Sequence, residues 1–175
     1  MKIFFVSLGC DKNLVDSEMM LGILAERGHT IVDDEKNADV IVVNTCCFIL
    51  DAKQESIDTI LQMAQLKEEG KLKALLVTGC LGERYREEIQ CEIPQVDAIL
   101  GTNSFDKIAD TIDEVLEGKK QNYFHDIQAA PVHGHKRMVT TGGHYAYLKI
   151  AEGCDKHCTY CIIPKIRGNF RSVPM

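Results

Sequence analysis

Asp39–Cys47 reads DVIVVNTCC, and its reading decides the fold. Four apolar β-branched residues in a row, with no polar alternation, describe a strand covered on both faces, as a parallel sheet between helical layers requires. Three further runs share the pattern: KIFFVSL (2–8), ALLVTG (74–79) and VDAIL (96–100). Between and after them lie LVDSEMMLGILAERG (14–28), AKQESIDTILQMAQLKEEG (52–70), LGERYREEIQCEI (81–93) and SFDKIADTIDEVLEG (104–118), whose apolar residues recur three and four apart. These stretches are predicted helices. Gly28, Gly70 and Gly118 stand where left-handed C-caps belong, and Asn103-Ser104 is the N-cap candidate of the last helix. Strands alternating with helices predict an α/β fold, an open parallel sheet with helices on both faces, over residues 1–118.

Beyond Gly118 the periodicity is lost. Residues 119–143, with three histidines and TTGG (140–143), are predicted as a linker, and the histidines as solvated loop residues. HYAYLKI (144–150) is expected to open a second unit, 144–175, as a strand running on to Gly153. Charge divides in the same way. Residues 1–130 hold 13 basic against 24 acidic side chains, and residues 131–175 hold 7 against 2. Such asymmetry points to units with different partners, and the acidic part disfavours phosphate backbones.

Eight cysteines in 175 residues fall below the density of a disulfide scaffold. No secretory leader is evident, and no stretch approaches eighteen consecutive apolar residues, so a cytoplasmic chain without a membrane partner is expected, its thiols serving as metal ligands. Cys10, Cys46 and Cys80 each follow a predicted strand, 36 and 34 positions apart. In an open α/β sheet such carboxyl ends line one edge, so the three thiols are expected to meet at one iron–sulfur site. Cys47 is the rival of Cys46, because adjacent residues on an extended chain point to opposite sides. Cys91 reads as helix core. Neither GxGxxG nor GxxxxGK[ST] follows the first strand, so nothing supports a dinucleotide or P-loop site.

The second set is compact. AEGCDKHCTYCIIPKIRG (151–168) places Cys154, Cys158 and Cys161 at CxxxCxxC spacing. Zinc ribbons use paired CxxC motifs and bacterial ferredoxins a longer run, whereas three close thiols fit a [4Fe-4S] cluster whose fourth iron is left to a small molecule. His157 is the alternative, as a fourth zinc ligand. Arg167 and Lys165 read as positive charge beside the loop, and Lys165 as a solvated edge.

CxxxCxxC after a strand, with Tyr160 before the third cysteine, resembles the radical S-adenosylmethionine (SAM) enzymes. The run AYLKIAEGCDKHCTYCIIPKIRGNFRS, together with Cys10, Cys46 and Cys80, is similar to the methylthiotransferases of that class. SLGCDKNLVDSE and VNTCCFILDAKQESIDTIL look like the branch that modifies an aspartate of protein twelve of the small ribosomal subunit. Asp11 departs from the proline common there. The resemblance implies SAM and two [4Fe-4S] clusters, one on Cys154, Cys158 and Cys161, with Tyr160 beside SAM, and an auxiliary one on Cys10, Cys46 and Cys80. It implies no side-chain acid or base, a flavodoxin- or ferredoxin-type electron donor, and contact with nucleic acid only through the ribosome. It also implies that 144–175 is the first strand and cluster loop of a partial (β/α) barrel, so that this fragment alone is expected to be inactive. A transfer-RNA methylthiotransferase and a non-catalytic iron–sulfur or zinc module remain the alternatives.

Overall fold

The structure is a computed structural model and describes residues 1–174. Five parallel strands form one sheet, β1 (Lys2–Ser7), β2 (Thr30–Val32), β3 (Val40–Thr45), β4 (Ala74–Gly79) and β5 (Ala98–Leu100), in the order β2-β1-β3-β4-β5. The expected α/β sheet is there, with β2 added at one edge. At three residues, β2 is too short for a periodicity reading to detect. The chain turns from one half of the sheet to the other between β1 and β3, the switch point at which open α/β folds leave a crevice.

Helices α1 (Asp11–Glu26), α2 (Leu50–Glu68), α3 (Cys80–Arg84), α4 (Arg86–Glu92) and α5 (Ile108–Leu116) cover both faces. Successive residues of a strand point to opposite faces, so Ile41 and Val43 pack with Ile60, Met63 and Leu81 on one side while Val40 and Val42 pack with Met20, Leu24 and Ile112 on the other. Both layers are therefore apolar, which explains the unbroken VIVV. Gly28, Gly70 and Gly118 have φ of 80°, 73° and 82°, as left-handed caps require. Ser104 does not cap with its side chain; its Oγ instead accepts from the His125 backbone N–H at 2.7 Å.

The last third differs from the sequence expectation. Residues 144–150 form no strand, because no neighbouring segment offers its backbone groups a ladder. Pairing is confined to β6 (Ala151–Glu152) against β7 (Arg171–Ser172), antiparallel, with the short helix α6 (Ile163–Arg167) between them. Residues 119–143 contain no helix or strand, yet they pack on the sheet unit. Tyr123 extends the β5 edge through bonds with Ile99 and Gly101 at 3.0 and 2.8 Å. Thr140 donates to Glu18 from its backbone and its hydroxyl at 2.6 and 2.8 Å, and Arg137 Nε donates to the same carboxylate at 2.6 Å.

Helix α1 is thus covered twice, by the sheet and by the later chain, which is why residues Val15 to Leu24 are buried without a break. Burial alone would push the Glu18 carboxyl up, but the Thr140 and Arg137 bonds outweigh it and hold the group below its ordinary range. Among the described residues no helix is long and apolar enough to cross a membrane.

Candidate functional site

Strand register brings the first three cysteines together. Ser7 pairs with Asn44 and Thr45 with Gly79, so β1, β3 and β4 end side by side, and the residues that follow converge at the switch point. Cys10 precedes α1, Cys46 follows β3, and Cys80 begins α3. All three line one open cavity of about 820 Å³, with Gly9, Lys12, Phe48 and Arg167 also on its wall. Gly9 has φ of 95°, and a Cβ there would lie 2.6 Å from Cys46 Cβ and 2.9 Å from its Sγ. Glycine is required at this position for two reasons: the left-handed backbone and the close approach of the neighbouring thiol.

Cys46 and Cys47 part as the extended chain demands. The Cys46 side chain faces the cavity, whereas Cys47 belongs to the apolar core under α2 and donates from Sγ to the Cys80 carbonyl oxygen at 3.2 Å. Burial pushes the Cys47 thiol up. The same cause raises the Cys80 thiol to about 11, against the opposing pull of the positive charge on nearby Arg167. Cys91 is exposed on α4, not core: the face of this two-turn helix that packs on the sheet is carried by Ile89, two residues away.

Arg167 is the residue that sequence reasoning missed. Read as positive charge beside the loop, it is 2 % exposed; Nη1 donates to Asp16 Oδ2 of α1 at 3.0 Å and to Glu152 Oε2 of β6 at 2.9 Å. Lys149 joins the same two carboxylates, 3.0 Å from Glu152 Oε2, so two buried cations meet two buried anions. Such a group is tolerated in a low-dielectric interior only when every charge is matched. Burial would raise the Glu152 carboxyl, but Arg167 and Lys149 prevail and hold it at about 2. The one sequence signal was Asp16 in a helix whose neighbouring positions are core.

The CxxxCxxC loop is arranged differently. Cys158 and Cys161 line a second cavity of about 460 Å³ with His157 and Tyr160, while Cys154 stands outside its wall. The Cys161 N–H donates to the Cys158 carbonyl at 3.0 Å, and the Cys154 N–H to Gly168 at 3.1 Å. Tyr160 is exposed, and Lys165, as expected, lies on a solvated edge. Phe48 lies on the walls of both cavities, so the two cysteine sets are neighbours across one ring.

Among the described residues no three His, Cys, Asp or Glu side chains gather around one point as a single metal ion needs. An iron–sulfur cube takes each thiolate at a different iron, so its ligands ring a space rather than a point. The donor set of Cys10, Cys46 and Cys80 and the cavity that all three line fit such a group.

Residues 2–101 match the family model described as Uncharacterized protein family UPF0004. The chain belongs to this family. Its relatives include proteins named Ribosomal protein uS12 methylthiotransferase RimO from Lachnoclostridium phytofermentans, 63 % identical over 100 % of this chain and 40 % of that protein, and from Clostridioides difficile, 52 % identical over 98 % and 39 %. A third, from a Thermoanaerobacter species, is 49 % identical over 97 % of this chain and 39 % of its own length. The chain spans about 40 % of the length of these relatives.

Proposed function

We propose that this chain is the part of a uS12 methylthiotransferase that carries the sulfur, and that it acts on an aspartate of the ribosomal protein. The observation that carries the reading is the convergence of Cys10, Cys46 and Cys80 on one cavity at the carboxyl edge of the sheet. The relatives bear that enzyme's name, and the acidic excess of residues 1–130 suits a basic ribosomal protein better than a nucleic acid. All eight cysteines are free thiols, which suits a reducing cytoplasm.

With two [4Fe-4S] clusters and SAM bound, the groups supply radical abstraction at an unactivated carbon and the sulfur to be transferred, chemistry beyond any side-chain acid or base. Cys10, Cys46 and Cys80 hold the auxiliary cluster, and Cys154, Cys158 and Cys161 the cluster that binds SAM, with Tyr160 beside it. The electron donor is a flavodoxin- or ferredoxin-type protein. For Cys80 to become a ligand its buried thiol must lose a proton, and the adjacent guanidinium of Arg167 favours the thiolate that results. Phe48 lies on the walls of both cavities, so a sulfur held at the first would lie near the second.

Anaerobic reconstitution with iron and sulfide tests this. The full chain is expected to bind two clusters' worth of iron, and the triple variant Cys154→Ala, Cys158→Ala, Cys161→Ala about half. Preferential uptake of zinc, or a single cluster in the unmodified chain, would overturn the reading.

A further inference from the structure

Asn13 is fully buried in the first turn of α1, and its side chain makes three hydrogen bonds, one toward each cysteine segment. Nδ2 donates to the Leu8 carbonyl at 2.6 Å, two residues before Cys10, and to the Thr45 carbonyl at 3.0 Å, the residue before Cys46. Oδ1 accepts from Arg167 Nη2 at 3.0 Å, and Arg167 shares the cavity wall with Cys80. Two carbonyls require donors and a guanidinium requires an acceptor, so the partners settle which way the amide points.

No other residue of this size meets the demand. Aspartate has no donor, leucine has neither donor nor acceptor, and glutamine is longer by one methylene in a site with no exposed surface. Loops after strands drift unless they are tied, because their backbone groups have left the ladder; Ser56 Oγ bonds the Cys46 N–H and carbonyl at 2.9 Å each, but joins that segment to no other cysteine. A single rigid amide that ties two loops and, through Arg167, the cavity wall that bears the third thiol removes that freedom.

We propose that Asn13 is the positioning residue of the three-cysteine site, setting the separations of Cys10, Cys46 and Cys80 before any cluster is bound. The inference rests on the reading of these thiols as ligands of one iron–sulfur cluster. It assigns Asn13 no contact with substrate or iron. Its effect passes through the loops, so it predicts a change in the quality of the site beyond any change in stability.

The test uses the full chain carrying Cys154→Ala, Cys158→Ala and Cys161→Ala, in which iron reports on the first site alone. Asn13→Asp keeps the shape and the acceptor for Arg167 but removes both donors, and Asn13→Ala removes everything. Ser17→Ala is the control for stability: Ser17 is equally buried in α1 and bonded to Ser7, Asn44 and the backbone carbonyl of Asn13, but makes no bond to the Asn13 side chain or to a cysteine segment. After anaerobic reconstitution, iron per folded chain, the paramagnetic resonance spectrum of the reduced cluster and, in the iron-free chain, the alkylation rate of Cys46 are measured.

The Asn13 variants are expected to lose at least threefold in iron or to shift the spectrum, and to label Cys46 several times faster. Ser17→Ala is expected to melt lower with iron and spectrum unchanged. Parent-like iron, spectrum and labelling in folded Asn13→Asp overturn the inference alone. A parent chain that takes up no iron overturns the cluster reading with it.

Discussion

Arg167 Nη1 lies 3.0 Å from Asp16 Oδ2, a contact that spans 151 residues of sequence and is shielded from water on both sides. It joins the CxxxCxxC-bearing segment to the helix that follows Cys10. The two cysteine-bearing parts of the chain are thus held together by a buried ion pair.

Removing the guanidinium leaves Asp16 and Glu152 with one buried cation, Lys149, between them, and the half-exposed Lys12 3.6 Å from Glu152. Arg167→Met is expected to destabilise the chain by about 3–5 kcal/mol, read from urea unfolding, because a buried carboxylate without its partner keeps the desolvation cost. Arg167→Lys restores the charge without the fork and is expected to recover part of the loss. A change below about 1 kcal/mol would mean that water reaches the network.

Acid acts on the same group. The Glu152 carboxyl is held at about 2, below its ordinary 4.5, so its contribution is present above 4.5 and is lost as pH falls from there towards 2. That contribution is of order 3 kcal/mol. The stability of the unmodified chain should fall more steeply across this window than that of Glu152→Gln. Parallel curves would show that the carboxylate is not ionised in the fold.

The adjacent pair of cysteines separates site from core. Cys46→Ser is expected to abolish iron uptake at the first site, whereas Cys47→Ser, whose hydroxyl can keep the bond to the Cys80 carbonyl, should retain it at a cost of about 1 kcal/mol. Iron analysis and thermal melting of the two variants decide it. The reverse result would put the other thiol on the cavity.

Gly9→Ala places a methyl group where Cys46 Cβ already stands and forces an L-residue into a left-handed backbone. A loss of roughly 1–3 kcal/mol is expected, together with displacement of Cys46, seen as weaker iron binding. Gly28→Ala, which meets no neighbouring atom, shares only the backbone strain and should leave iron binding intact.

The sheet could be read from sequence because burial on both faces removes polar residues from a strand, and VIVV cannot be placed otherwise. That Cys10, Cys46 and Cys80 share one cavity followed from topology, since parallel strands end on one edge. What could not be read was long-range polar chemistry. Arg167 looks like a surface cation until Asp16 and Glu152 are found beside it, and Asn13 looks like one more polar residue in a helix's first turn. Cys91 was misjudged because a two-turn helix exposes most of its surface. HYAYLKI has the composition of a strand, but pairing needs a partner, and composition does not supply one.

The double covering of α1 has a consequence for synthesis. Glu18 and its partner Arg137 are 119 residues apart. At roughly 5–20 residues per second, the ribosome takes on the order of 6–24 s to deliver the second after the first. The sheet unit is complete only when α5 ends at Leu116, so for about the last 1–4 s of that interval the nascent sheet carries a helix face of mixed acids and methionines with nothing over it. A chaperone that holds such faces on emerging chains would find one here, and ribosomal pausing between residues 118 and 137 would lengthen its opportunity.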